Sequence, residues 1–344
     1  MPEGVPSLYK GEANHGGSIL LIALWSLFIL ASFAVTLGFQ VRQKMVLVKR
    51  LESRNKLTAI AEAAIPLGIV EIRKFAEAKS FSLRDSWSNN PAFKDMSVAD
   101  GTCAFTRPAY EPSGPDQSVA YGMVDEESKI NINKADMKIL SFLMQVVLNT
   151  DVTEAQALAA SLIDWRDADS TLSIPMGSAE DSYYRNEKYP YEAKDAPFEI
   201  LDEVRLVKGF NANVFEKLKD YITIYGSGKI NINTAGRNVL YAIGLSPLAV
   251  DKILAVRAGK DGIAGTSDDE VFSSIVDVAP AVTGNGGFSP SELADMSNTI
   301  NAYTTVVSTA FNINSIGKAP GDKNISQVSC VIDLKGSILA YRRQ

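Results

Sequence analysis

The sequence predicts an α+β protein organised on one membrane-crossing helix. Three observations carry this. Residues 18–39 contain no charged side chain. The following residues, from 41 to about 79, keep apolar side chains at three- and four-residue steps. Short β-forming runs stand before and after a long helical block that partly repeats itself. The expected architecture is a long N-terminal helix, a small antiparallel sheet, and a large helical domain with helix-hairpin-helix-like units inserted into the sheet portion.

The first element follows from length and solvent. About twenty apolar residues rising ~1.5 Å each span a hydrocarbon layer of ~30 Å. A core helix of a soluble protein would keep a polar face, and this stretch has none. Val41, Met45, Val48 and Leu51, then Leu57, Ile60, Ala61 and Ala64, continue the helix with an apolar stripe. Pro66 is expected to kink it. Small residues, Gly16 and Gly17, stand before the apolar core rather than after it, unlike a secretory signal peptide. Cleavage after Gly17 leaves the helix on the product, with Ser18 as its first residue.

From about Trp87 to Glu127, Pro, Gly, Ser and Asn punctuate short runs. Thr102-Cys-Ala-Phe-Thr106 and Ser118-Val-Ala-Tyr-Gly-Met-Val124 read as two strands joined by a turn region from Pro108 to Pro115. Lys129-Ile-Asn-Ile-Asn133 then recurs as Lys229-Ile-Asn-Ile-Asn233, an offset of 100 residues. Each copy precedes an alanine and an apolar helix. The alternation suits a short strand whose asparagines cap that helix, and two copies predict a duplicated helical domain. Within it, the glycines at 209 and 244 sit between helical segments in helix-hairpin-helix fashion. Beyond residue 301, Tyr303-Thr-Thr-Val-Val-Ser308, Phe311-Asn-Ile-Asn-Ser-Ile316 and Gln327-Val-Ser-Cys-Val-Ile-Asp333 return to strand character. The domain plan is therefore 1–17, a leader; 18–80, the long helix, with 18–39 in the membrane; 81–128 together with 301–344, an α/β domain; and 129–300, the inserted helical domain.

Composition removes several function classes. The 344 residues carry a formal charge of −6, which counts against a general nucleic-acid binder. His15 is the single histidine and lies in the leader, so the processed chain has no histidine for acid–base or triad chemistry, and a zinc enzyme is disfavoured. Cys103 and Cys330 both lie beyond the membrane helix. Exported, they are candidates for one disulfide; two buried thiols fit the spacing equally well.

Two acidic loops are candidate cation sites. Asp164, Asp167 and Asp169 stand close to Glu180 and Asp181 in the first. Asp261, Asp268 and Asp269, with the Thr266 carbonyl, form the second. Calcium takes six to eight oxygens from carboxylates and loop carbonyls. Neither spacing is that of an EF-hand, and a solvated acidic turn is the plain alternative for each.

Taken together, several features resemble the general secretion pathway protein K family, minor pseudopilins of type II secretion systems. They are the Gly17-Ser-Ile-Leu-Leu-Ile-Ala-Leu-Trp25 junction with Ile22 where most prepilins carry a fifth-residue glutamate, the two Ile-Asn-Ile-Asn repeats, the Ala-Ser-Leu-Ile-Asp-Trp-Arg-Asp-Ala-Asp169 block, the acidic Tyr183-Tyr184 block and the terminal strands. The resemblance implies a pilin-type spine helix on a small pseudopilin sheet. It also implies cleavage after Gly17 by the prepilin peptidase and methylation at Ser18. The protein would be a single-pass inner-membrane chain with its C-terminal domain in the periplasm. It would hold one or two calcium ions and have no enzyme activity.

The implied partners are minor pseudopilins I and J, the pseudopilus and the inner-membrane secretion platform. The implied place is the pseudopilus tip. Ile22 cannot neutralise a neighbour's buried amine, and the inserted domain would obstruct a subunit stacked above it. One feature runs the other way: by the positive-inside rule alone, Arg42, Lys44, Lys49 and Arg50 would hold that flank in the cytoplasm. The alternative function is a membrane-tethered helix-hairpin-helix protein for DNA binding or uptake. It is disfavoured because the turns offer chiefly Lys208 against Asp195, Glu199, Asp202 and Glu203. A third reading, an anchored hydrolase using the acidic loops, has no cleft or catalytic motif behind it.

Overall fold

The computed structural model describes residues 16–108, 119–175, 177–284 and 286–343. Residues 1–15, with His15 and most of the expected leader, and the expected turn from residue 109 onward lie outside the described residues. The chain divides into two compact units, residues 1–56 and 57–344.

The first unit consists of the opening turns of helix α1 (Gly16–Ala63). It is the one helix, among the described residues, long and apolar enough to cross a membrane. None of its most apolar window is buried by the rest of the chain. Two of its hydroxyls bond back to the helix: Ser26 donates to the Ile22 carbonyl and Thr36 to the Ser32 carbonyl, both at 2.8 Å. In a hydrocarbon layer, that back-bonding gives these two hydroxyls a partner within the helix.

The second unit begins at Leu57. The long helix does not run on to residue 79 as its spacing suggests. It stops at Ala63, and a separate helix, α2 (Ile65–Arg73), starts there with Pro66 in its first turn. Pro66 lacks the amide a continuous helix needs and suits a helix start. The sheet then opens with β1 (Met96–Val98), β2 (Gly101–Pro108), β3 (Val119–Tyr121) and β4 (Val124–Asp125). The expected 118–124 strand is thus two short ones, interrupted at Gly122.

The helical block follows. It contains β5 (Ile130–Asn131), α3 (Met137–Leu148), α4 (Val152–Arg166), α5 (Asp181–Tyr184), α6 (Ala212–Leu218) and β6 (Ile222–Thr223). It continues with β7 (Ile230–Asn231), α7 (Arg237–Ala242), α8 (Pro247–Arg257), α9 (Val278–Thr283), α10 (Pro290–Tyr303) and β8 (Thr304–Thr305). The sheet resumes in β9 (Ala310–Lys318), β10 (Ser326–Asp333) and β11 (Ile338–Arg343).

The strand order is β1-β2-β9-β10-β11, all antiparallel, with β3 on β2 and β4 on β9. β4 and β9 are therefore neighbours in one sheet, and everything between them is an insertion. Two hydrophobic cores reflect this. One lies between the helix and the sheet and includes Ile60, Ile72, Phe81, Trp87, Phe105, Phe311, Ile313 and Ile332. The other fills the helical block from Ile130 to Val306.

The helix backbone lies directly on the sheet at Gly317. A Cβ there would sit 2.3 Å from the Leu57 carbonyl oxygen and 2.8 Å from the Ala61 amide nitrogen. Backbone cannot yield as a side-chain tip can. Gly317→Ala is therefore expected to cost at least about 3 kcal/mol, the upper end for core overpacking. Denaturant unfolding of the detergent-solubilised chain measures this, and a loss below about 1 kcal/mol contradicts it.

Cys103 and Cys330 are buried free thiols. Cys103 stands across from Gly317 and Cys330 across from Ile313, on opposite sides of β9 and four residues apart along it. The disulfide expectation gives way to the buried-thiol alternative, because the two side chains belong to different register positions.

Candidate metal centre

The duplicated block builds its loops from two matching frames. In the first, β5 pairs in parallel with β6 (Ile130 with Ile222); in the second, β7 pairs in parallel with β8 (Ile230 with Thr304). The asparagines do not cap the following helices as their position suggests. Asp136 caps α3, its carboxylate accepting from the Ile139 amide at 2.9 Å, and α7 has Gly236 at its cap position and so no side-chain cap. Asn133 instead holds both backbone groups of Phe198, accepting from its N–H at 2.8 Å and donating to its carbonyl at 2.9 Å. Asn233 holds Phe272 in the same way, at 3.0 and 2.9 Å.

An arginine closes each frame. Arg166, at the end of α4, donates to the Ile132 and Ala135 carbonyls. Arg257, at the end of α8, donates to the Ala235 carbonyl. Apart from Asp164, which lies in α4, both acidic loops lie between the arginine and the held phenylalanine, so they are equivalent positions in the two copies.

The two loops differ in how their carboxylates are satisfied. In the first, one oxygen each of Asp167, Asp169 and Glu180 lies within 4.8 Å of the others. Asp167 Oδ1 and Glu180 Oε1 are buried with no hydrogen-bond partner. Asp164, fully buried just behind, accepts from the Ser173 amide at 3.0 Å. Burial, and then the nearby carboxylates of Asp164, Asp167, Asp195 and Asp169, push the Glu180 carboxyl up to about 7. Asp167 is also pushed up, by burial and then by Asp169 and Asp164. Orphaned buried carboxylate oxygens beside other carboxylates are costly without a counter-charge.

Asp181 does not join them. As the first residue of α5 it turns away, accepting from the Ala193 amide at 2.9 Å and from Arg185 at 2.8 Å. The residue that sequence spacing missed is Asp195, whose charge acts on both Asp167 and Glu180. It takes a left-handed backbone conformation (φ 51°), and its amide donates to the Trp165 carbonyl at 3.1 Å.

The second loop closes on itself. Asp268 accepts from the amides of Lys260 (2.8 Å) and Asp261 (3.2 Å) and from the Thr266 hydroxyl (2.6 Å). Asp269 accepts from the amides of Gly265 (2.7 Å) and Thr266 (3.2 Å), and Asp261 from that of Ile263 (2.7 Å). The Thr266 hydroxyl hydrogen bond first, then the two amides, hold Asp268 down at about 2. These carboxylates are used as turn acceptors, and among the described residues no three of them converge.

The helix-hairpin-helix turns are present at Gly209 and Gly244, both with positive φ (86° and 95°). Lys208, the cation the first turn offers, is committed to the carbonyls of Gly177 (3.1 Å) and Ser178 (3.0 Å), which lead into Glu180. It braces the acidic loop, and the DNA-binding alternative gains no support from it.

Residues 121–227, from the end of the first strands through the whole first frame, match the family model of type II secretion system protein K. The chain is 35% identical over 89 residues to type II secretion system protein K of Aeromonas hydrophila, a match covering 25% of this chain and 27% of that protein. Its fold is similar to that of a chain in the crystal structure of the GspK-GspI-GspJ complex from the enterotoxigenic Escherichia coli type 2 secretion system. The TM-score is 0.63 at 18% identity, over 88% of this chain and 99% of that one.

Proposed function

We propose that this chain, whose residues 121–227 form a type II secretion system protein K domain, is a minor pseudopilin of that system. The observation that carries the reading is the combination of that domain with its place in the fold. The frame it matches opens an insertion between neighbouring strands β4 and β9 of a small sheet packed on the spine helix. The role is structural rather than catalytic: the chain caps the periplasmic pseudopilus together with minor pseudopilins I and J. It is held in the inner membrane by residues 18–39 until it leaves the secretion platform. Ile22 brings no carboxylate to a neighbouring N-terminus, and the inserted block adds bulk above the sheet. Both favour a terminal place over an internal one.

One calcium ion belongs to this reading. Asp167, Asp169 and Glu180 would hold it, and its charge would offset the carboxylates that the first loop gathers. The ion thereby fixes the loop between α4 and the Phe198 anchor.

Co-expression of the full chain with a prepilin peptidase and pseudopilins I and J tests the proposal. The expected product is a complex of the three pseudopilins in which this chain begins at methylated Ser18 by mass. A chain that is cut but never joins the other two would refute the tip role. A chain left uncut after Gly17 would refute the pseudopilin reading.

A further inference from the structure

The sheet and the helical block meet at three consecutive buried acids, Asp125, Glu126 and Glu127. Each holds a different crossing of the chain. Glu126 accepts from Lys129 Nζ (2.7 Å) and from the Thr223 hydroxyl, joining the start and end of the first frame. Glu127 accepts from the amides of Ser227 (3.0 Å) and Thr309 (3.1 Å), joining the link between frames to the start of β9. Asp125 Oδ2 accepts from the Thr234 hydroxyl (2.5 Å), the Ser308 hydroxyl (2.7 Å) and Asn231 Nδ2 (3.1 Å). Asp125 therefore ties the opening of the second frame to the segment that returns to the sheet.

Glu126 has a lysine. Asp125 has none: the charged group that acts on it is Glu127 on its own segment, and the groups reaching it from β7 and from the return segment are Asn231, Thr234 and Ser308, all neutral. Two of its three Oδ2 donors are hydroxyls, which can donate or accept. Thr234 also has a second acceptor, the Asn231 carbonyl at 3.4 Å. With Asp125 ionised, both hydroxyls donate to it. With Asp125 neutral, its own O–H donates to the Thr234 oxygen, and Thr234 turns its hydrogen to the Asn231 carbonyl. Neither state strands a buried donor, and the neutral state removes the repulsion from Glu127.

We propose that Asp125 is a proton-operated latch between the sheet and the second helical frame, tighter with the carboxyl neutral and looser with it ionised. The proposal concerns the fold itself and does not depend on the assembly role. Burial, then Glu127, push the Asp125 carboxyl up to about 7. An acid raised in the folded state above its ordinary value of about 4 stabilises the fold fully below that value. That contribution is lost as pH rises towards and through about 7, so the junction weakens from mildly acid conditions to neutrality and is constant beyond it.

The test uses the full chain in detergent at fixed calcium, wild type against Asp125→Asn, between pH 5.5 and 8.5. In the wild type, hydrogen-exchange protection of residues 230–234 and 304–310, corrected for intrinsic rate, is expected to fall by up to about tenfold per pH unit below about pH 7 and to level off above it. The melting temperature falls with it. For Asp125→Asn, which keeps the shape without the titration, the exchange protection of those two segments is expected to be flat and the fall in melting temperature smaller, the remainder coming from Glu180. A variant with the wild-type slope overturns the proposal. If the variant does not fold, the carboxyl ¹³C titration of Asp125 in the wild type decides. A midpoint within the range supports the latch, and one below pH 5.5 overturns it.

Discussion

Chelating calcium from the full-length chain in detergent is expected to lower its melting temperature by about 5–11 °C. An ion at one hundred times its dissociation constant contributes about 2.7 kcal/mol, and 1 kcal/mol moves the midpoint by ~2–4 °C for a domain of roughly 150–250 residues. The cause lies in the first acidic loop, where Asp167 and Glu180 each bury an oxygen without a partner. Asp167→Asn is expected to show a distinctive pair of effects. It lowers the calcium-induced gain, because a ligand charge is lost. It also leaves the calcium-free melting temperature unchanged or raised, because Asp169 and Asp164 repel a neutral amide less. Asp181→Asn is the matched control: its partners are the Ala193 amide and Arg185, so the calcium response stays intact. Differential scanning fluorimetry with and without chelator reads all three. A chelator without effect on the wild type removes the metal proposal, as does an Asp181→Asn variant that loses the response while Asp167→Asn keeps it.

What could be read from the sequence was whatever repeats over short distances. The uncharged run 18–39, the paired Ile-Asn-Ile-Asn segments and the strands flanking the block are all local patterns. The structure places the expected strands around 102–106 and 311–316 side by side, as an insertion requires, whereas of the expected 303–308 strand only Thr304–Thr305 forms and it pairs with β7 inside the helical block. What could not be read depended on partners distant in the chain. Asn133 and Phe198 are 65 residues apart, Asn233 and Phe272 are 39 apart, and no spacing rule joins them. Adjacency groups Asp181 with Glu180, yet the turn into α5 sends Asp181 to the Ala193 amide and Arg185 instead. Asp195 escaped because its approach depends on a left-handed backbone step. β11 escaped because it is a sheet edge whose Ile338, Leu339 and Tyr341 are exposed, so its pattern shows no buried face. Its place is set instead by Arg343 and Tyr341, which both donate to Glu62 near the end of α1.

Replacing Asn233 by alanine is expected to destabilise the fold by about 2–6 kcal/mol, because the loss strands two buried backbone groups at ~1–3 kcal/mol each. Asn233 and Phe272 are each only 3% exposed, so water cannot replace the lost partners. Asn133→Ala removes the same pair of bonds from Phe198, but Asn133 is half-buried and water can reach part of the gap. Its cost should therefore be smaller. It should also weaken the calcium response, since Phe198 stands three residues from Asp195. Asn233→Asp separates hydrogen bonding from size. The carboxylate still accepts from the Phe272 amide, but it sets an acceptor against the Phe272 carbonyl and buries a charge. The aspartate variant should thus be at least as unstable as the alanine variant, although it differs from asparagine by one terminal group. Denaturant unfolding of the three variants decides the matter. If aspartate proves nearly neutral while alanine is costly, Asn233 acts by filling space, and the two-bond anchor is not what holds the second loop.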